Sequence, residues 1–246
     1  VSNMSEPVSS IGTLILVLIG ILVTYYCRRN GFMVSQSLVF INFAVFAAWW
    51  IMLLLQTDIA IQSLIELGFQ PVFLQSLGFE LLTLISSMFM HGGLFHILGN
   101  MWFLWIFGDN VESALGHVRY IGFYLFCGFG AAIGQFLINP SSPVPMVGAS
   151  GAIAGILGAY MLMYPRARVH VLIIFFVITT IAVPAQIAIG VWFLVQLTNG
   201  LGSIGLNTGG VAWFAHIGGF ITGMVLILFF NKTAKRKTKI MKGPWS

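Results

Sequence analysis

Charge is what this chain has least of. Only 7% of its 246 residues are Asp, Glu, Lys or Arg, against 59% apolar, and the mean hydropathy is +0.98. Soluble globular domains carry about 25% charged residues. So few charges cannot clothe a water-facing surface, which excludes an ordinary soluble domain and leaves lipid as the covering. Cysteine is scarce too: Cys27 and Cys127 stand alone in or beside apolar runs, so neither a disulfide framework nor a CxxC metal pair is present, and both read as small packing residues. HExxH spacing and paired aspartates inside apolar runs are missing, which sets aside metal-dependent and aspartyl chemistry within a membrane. No internal repeat is visible. No basic residue precedes the first apolar run, so that run does not resemble a secretory signal peptide.

What the chain does have is long apolar runs. A bilayer-crossing helix needs about 20 mostly apolar residues. Seven runs qualify, at roughly 10–27, 35–56, 93–113, 118–138, 149–165, 183–201 and 211–231. Run 169–182 is also apolar, but with the next run it is too long for one straight span, so it is read as an interfacial or re-entrant segment. The stretch 57–90 is too apolar for a free linker and is expected to lie partly in the bilayer surface.

Seven alternating spans put the loops after the first, third, fifth and seventh on one side. Arg28 and Arg29, then Arg119, then Arg166 and Arg168, then Lys232, Lys235, Arg236, Lys237, Lys239 and Lys242 occupy those loops, and they are all 11 of the Lys and Arg residues. The positive-inside rule makes that side the cytoplasm and places the N-terminus outside and the C-terminus in the cytoplasm, in a plasma (inner) membrane. The net charge of +5 therefore reads as membrane orientation rather than nucleic-acid binding.

Polar residues inside spans are costly, which makes them functional candidates. Ser150, within Gly148-Ala149-Ser150-Gly151, opens the fifth span after Pro140, Pro143 and Pro145. A helix N-terminus offers free N–H groups and a dipole that favour a developing oxyanion. Taken alone, Gly148, Ser150, Gly151 and Gly155 read rather as small residues for close helix packing. His216 lies early in the seventh span, where a neutral imidazole can act as general base, although a lone His in an apolar helix is more often structural. Depth links the two. Arg166 follows Ser150 by 16 residues and Lys232 follows His216 by 16. At about 1.5 Å per residue both sit roughly 24 Å above the cytoplasmic edge. Gly151 and Gly155 in one span, and Gly219 and Gly223 in the other, permit close approach.

A third cluster, His91, His96 and Asn100, surrounds the start of the third span. His96 and Asn100 share a helix face, and their donors can join the Ser150 N–H around an oxyanion. The alternatives are a polar packing face or a zinc site, the latter without a nearby Glu. No carboxylate is placed by the sequence to orient His216, so a dyad is the economical arrangement. Water is expected to reach Ser150 from the outer side, through a mouth made flexible by glycines near His91 and at 200–210.

These motifs resemble those of rhomboid proteases. His91-Gly92-Gly93-Leu94-Phe95-His96-Ile97-Leu98-Gly99-Asn100 is similar to their HxxxxHxxxN signature, Gly148-Ala149-Ser150-Gly151 to GxSG, and Ala215-His216-Ile217-Gly218-Gly219 to AHxGG, in order over about residues 35–231. The resemblance implies an all-α polytopic membrane protein with a six-helix core. The added first helix and its inner loop would occupy 1–34, the catalytic domain 35–231 and a basic cytoplasmic tail 232–246. It implies an intramembrane serine endopeptidase with Ser150 as nucleophile, His216 as base, and His96, Asn100 and the Ser150 N–H as oxyanion hole. His91, Glu112, Gly148 and Gly151 would give structural support. Substrates would be transmembrane helices with small or helix-breaking residues near the outer face, and no cofactor or metal is implied. Two positions depart: Leu82-Thr83 replaces a Trp-Arg pair in the first outside loop, and Ala154 replaces a Tyr that stacks on the His in some members.

Two other functions fit a polytopic membrane protein. One is a non-catalytic rhomboid-like protein that binds membrane clients; the intact Ser150 and His216 argue against it. The other is a transporter or channel, which would place ionisable residues at the midplane, whereas no Lys, Arg, Asp or Glu lies deep in a span here.

Overall fold

The computed structural model describes residues 31–75, 78–174, 178–205 and 210–234, together with Leu22 and Arg29. The expected first span, 10–27, apart from Leu22, and the tail beyond 234 lie outside the described residues, as do 206–209 of the glycine-rich stretch.

Six longer helices match the remaining apolar runs: α1 (Val34–Leu55), α4 (Leu94–Leu115), α5 (His117–Ile138), α6 (Ser150–Met163), α7 (Ala185–Gly202) and α8 (Trp213–Ala234). Two shorter ones, α2 (Thr57–Leu67) and α3 (Thr83–Ser86), lie between α1 and α4 among 3-10 turns. The chain is therefore a mostly helical, polytopic integral membrane protein. Helices α1, α5, α7 and α8 are each long and apolar enough to cross a bilayer, and α4 qualifies together with the preceding stretch Glu80–Phe89, from which it is bent by 81°. Gly116, at φ +80°, makes the one-residue turn between α4 and α5, a conformation that L side chains resist.

One of the described apolar runs is not helical. Residues Arg168–Ile174 (β1) and Ile178–Pro184 (β2) form an antiparallel hairpin with Arg168 opposite Pro184 and Ile174 opposite Ile178. The segment read as interfacial or re-entrant is thus a two-stranded ribbon. Its concentration of Val, Ile and Thr favours the extended chain over a helix. Stretch 57–90 is also more ordered than a loop: α2 packs on α1, and the buried Trp49 indole donates to the Ala60 carbonyl at 2.9 Å.

Helix α6 sits at the centre. Every residue from Gly151 to Tyr160 is buried, and at 14 residues it is the shortest of the six. It runs parallel to α8 along a backbone-to-backbone contact: a methyl group on Gly219 would overlap the Gly151 carbonyl, and one on Gly223 the Gly155 carbonyl. Helix α5 crosses both in the opposite sense, with Gly134 against Gly218 and Gly130 against Thr222. In lipid, where apolar side chains gain little by leaving the solvent, small residues that let backbones touch are what hold helices together.

The opposite end from Ser150 is tied by polar contacts. The Glu112 carboxylate, fully buried, accepts the Val34 and Ser35 N–H groups at 2.7 Å each, capping α1, and pairs with His117 at the start of α5. The Tyr164 hydroxyl donates to the Asn110 carbonyl at 3.4 Å, and the Gln186 N–H to that of Pro165 at 3.2 Å. The start of α1, the α4–α5 turn, the end of α6 and the start of α7 therefore share one face, and it carries Arg119, Arg166 and Arg168.

Candidate active site

Ser150 is the first residue of α6, and the segment that delivers it is clamped. Phe69 and Met146 exchange both backbone hydrogen bonds, at 2.9 and 2.7 Å, and the Gly148 N–H donates to the Ser87 carbonyl at 2.8 Å. Gly148 is required twice over. Its φ is +118°, and a Cβ there would stand 2.7 Å from His96 Nε2 and 3.6 Å from Asn100 Nδ2. The same numbers locate those side chains: His96 and Asn100, one turn apart on α4, both point at the backbone two residues before Ser150.

His216 enters from the first turn of α8. Its Nε2 lies 2.7 Å from Ser150 Oγ, across 66 residues of sequence. Chemically, this contact can carry the serine proton to the imidazole. The Ser150 N–H, at a helix N-terminus with no intrahelical acceptor, is left for an anion beside it. Asn100 spends one amide proton on the His96 carbonyl, at 2.9 Å, and has a second.

The remaining sequence candidates surround this pair. His91 is buried, its ring edge-on to His96 at 5.2 Å between centroids, with Nδ1 3.4 Å from the Phe89 carbonyl. Gly151 packs against Ala131 of α5, where a Cβ would collide with the alanine methyl. Glu112 is not at this site; it lies 12 residues beyond Asn100 on α4, roughly 18 Å along the helix. Thr83, at one departing position, is buried and bonds locally to the Glu80 carbonyl, whereas Leu82 is exposed. At the other, Ala154 gives His216 no aromatic neighbour. Trp192 of α7 and Trp213 of α8 flank the imidazole instead, at centroid distances of 6.0 and 6.3 Å.

One neighbour escaped the sequence analysis. Gln196, buried on α7, places its Oε1 2.7 Å from His216 Nδ1. The signal was available, since Gln196 is a polar residue within the apolar run 183–201. A cavity of about 40 Å³ opens beside Ser150, lined among others by Phe69, Ser87, Met88, Gly148 and Ala215. That exceeds the roughly 10–15 Å³ a single water requires. Among the described residues, no three His, Cys, Asp or Glu side chains gather to hold a metal.

A family model described as the Rhomboid domain matches residues 78–233. The chain belongs to the rhomboid family. Among its curated relatives, RHOMBOID-like protein 4 of Arabidopsis thaliana is 36% identical over 144 residues, covering 58% of this chain and 32% of that protein. The rhomboid protease GluP of Bacillus subtilis is 34% identical over 135 residues, covering 55% and 26%. Rhomboid protein 1, mitochondrial, of Saccharomyces cerevisiae is 26% identical over 162 residues, covering 63% and 44%. The matched region thus spans less than half the length of each of these relatives. A further relative is named as chloroplastic, so membership of the rhomboid family does not by itself select the plasma membrane.

Proposed function

We propose that this rhomboid protein is an intramembrane serine endopeptidase that cleaves transmembrane helices of membrane-protein substrates with a Ser150–His216 dyad. The observation that carries the reading is the 2.7 Å contact between Ser150 Oγ and His216 Nε2, made by two side chains that meet from separate helices. In this reading His216 takes the hydroxyl proton as Oγ attacks the scissile carbonyl carbon. The oxyanion accepts from the Ser150 N–H and from His96 and Asn100. Collapse breaks the C–N bond, and the leaving amine takes the proton from His216. Water in the cavity beside Ser150 then hydrolyses the acyl-enzyme, with His216 again as base.

The orientation belongs to the same proposal. The face carrying Arg119, Arg166 and Arg168 is cytoplasmic, in a plasma (inner) membrane, and Ser150 opens toward the outer side. Substrate helices would unwind there, which suits those with small or helix-breaking residues near the outer face.

The test is cleavage of a reporter transmembrane helix in liposomes by the native chain, Ser150→Ala and His216→Ala. Cleavage by the native chain alone is the expected outcome; equal cleavage by Ser150→Ala would sink the proposal. A native chain that cleaves nothing, takes no label from a serine-reactive fluorophosphonate and still co-purifies with membrane clients would point to a non-catalytic binding protein.

A further inference from the structure

We infer that Gln196 is a positioning residue that fixes the proton on His216 Nδ1 and so leaves Nε2 bare to accept the Ser150 proton. The inference rests on the dyad reading above. Its ground is a chain of three hydrogen bonds whose direction is set by chemistry. The Trp192 carbonyl can only accept, and the Gln196 amide nitrogen lies 3.3 Å from it. That orients the amide, so its oxygen faces His216 at 2.7 Å. An amide oxygen can only accept, so Nδ1 must donate. The neutral imidazole then carries no proton on Nε2, where the Ser150 hydroxyl stands at 2.7 Å. The relay runs Ser150 O–H to Nε2, Nδ1–H to Gln196, and Gln196 N–H to the backbone one turn earlier on α7.

Nothing else described around the ring performs this role. Trp192 and Trp213 offer ring faces and edges, and the titratable side chain facing His216 is His96 on α4. Gln196 is itself 5% exposed, which is unusual for a long amide unless both ends are bonded, as they are here. In serine hydrolases an acceptor on the far nitrogen selects the productive tautomer, and a wrong tautomer there costs orders of magnitude in rate. A neutral amide supplies the orientation without the carboxylate charge.

The experiment uses the full chain in lipid vesicles, with Gln196→Leu and Gln196→Glu beside the native protein. The first readout is the tautomer of His216 by 15N NMR of histidine-labelled protein, assigned with His216→Asn, and it requires no proteolysis. The second is the rate at which a fluorophosphonate phosphonylates Ser150. Native protein should show Nδ1–H. Gln196→Leu, nearly isosteric, should lose that preference and label about 10- to 100-fold more slowly per folded molecule. Gln196→Glu should restore Nδ1–H. Its charge should also move the acid limb of the labelling profile to higher pH, because a neighbouring carboxylate favours the imidazolium. A Leu variant with native tautomer and native labelling overturns the positioning role, while loss of labelling in Ser150→Ala in the same series keeps the dyad. Labelling slowed only in proportion to lost folded protein overturns it as well. A native chain that shows Nδ1–H yet takes no label at Ser150 removes the dyad reading, and this role with it.

Discussion

The two flanks of the Ser150–His216 pair are built on different principles. On one side, α5, α6 and α8 meet backbone to backbone, with Gly151, Gly155, Gly219 and Gly223 leaving no room for a methyl group. On the other, α7 offers Ala185, Ile189, Gln196 and Gly200 inward and keeps Ile187, Val191, Leu194 and Leu201 more than half exposed to its surroundings. Ser150 and His216, the proposed nucleophile and base, ride on the tight flank, where depth and spacing are set by rigid contact. The amide that orients the base rides on the loose one. Rigid elements hold the reacting atoms, and the adaptable element can change without dismantling them.

The largest expected effect comes from forcing the tight flank apart. Gly219→Val drives a branched side chain into the Gly151 carbonyl, backbone against backbone, and should destabilise the fold by roughly 3 kcal/mol, the upper end for overpacking. Chemical unfolding in mixed micelles reads this directly, and activity should fall with the folded fraction. A native-like unfolding midpoint would mean that the α6–α8 contact is slack.

Next in size is a lesion confined to the side proposed to hold the oxyanion. Gly148→Ala places a methyl 2.7 Å from His96 Nε2, too close for both to stay, and strains a residue at φ +118°. Turnover should drop about 100-fold, the scale of one lost oxyanion donor. Folding stability should fall by only about 1 kcal/mol, the cost of an unfavourable backbone region. Equal losses in both quantities would assign Gly148 to folding rather than to shaping the site. Glu112→Gln should do the reverse. It turns a donor toward one of the two N–H groups at the capped start of α1, while its remaining oxygen keeps the other, and should cost about 2 kcal/mol of stability. Turnover per folded molecule should hold, since Glu112 is far from Ser150; thermal denaturation followed beside cleavage rates separates the two.

Those contrasts also mark what could be read before the fold was known. Ser150 and His216 are each 16 residues from a cation, and equal depth was enough to predict that they could meet. The close approach of α6 and α8 followed from glycines four apart. Gln196 obeyed the same rule that singled out His216, a polar group inside an apolar run, but its partner depends on how α7 rotates against α8, and no local spacing encodes that. The hairpin at 168–184 was hidden for another reason. Beyond Arg168 and His170 its residues are mostly apolar on both faces, so neither a helical nor a sustained alternating period shows, and the enrichment in branched side chains distinguishes it.

The smallest expected effect tests the loose flank itself. Leu194 is 58% exposed on α7, and in a bilayer that exposure is to acyl chains. Truncating it exchanges a side chain packed on lipid for lipid, so Leu194→Ala should change stability by less than about 0.5 kcal/mol, as for substitutions remote from packed or bonded groups. Ile189, one and a half turns earlier and buried, should lose about 2 kcal/mol or more on the same truncation because the cavity it leaves is lined by protein. Unfolding measured for the pair in one lipid composition gives the comparison its sharpest form. If Leu194→Ala cost as much as Ile189→Ala, α7 would be covered on its outer side as well, and the adaptable flank would have to be sought elsewhere.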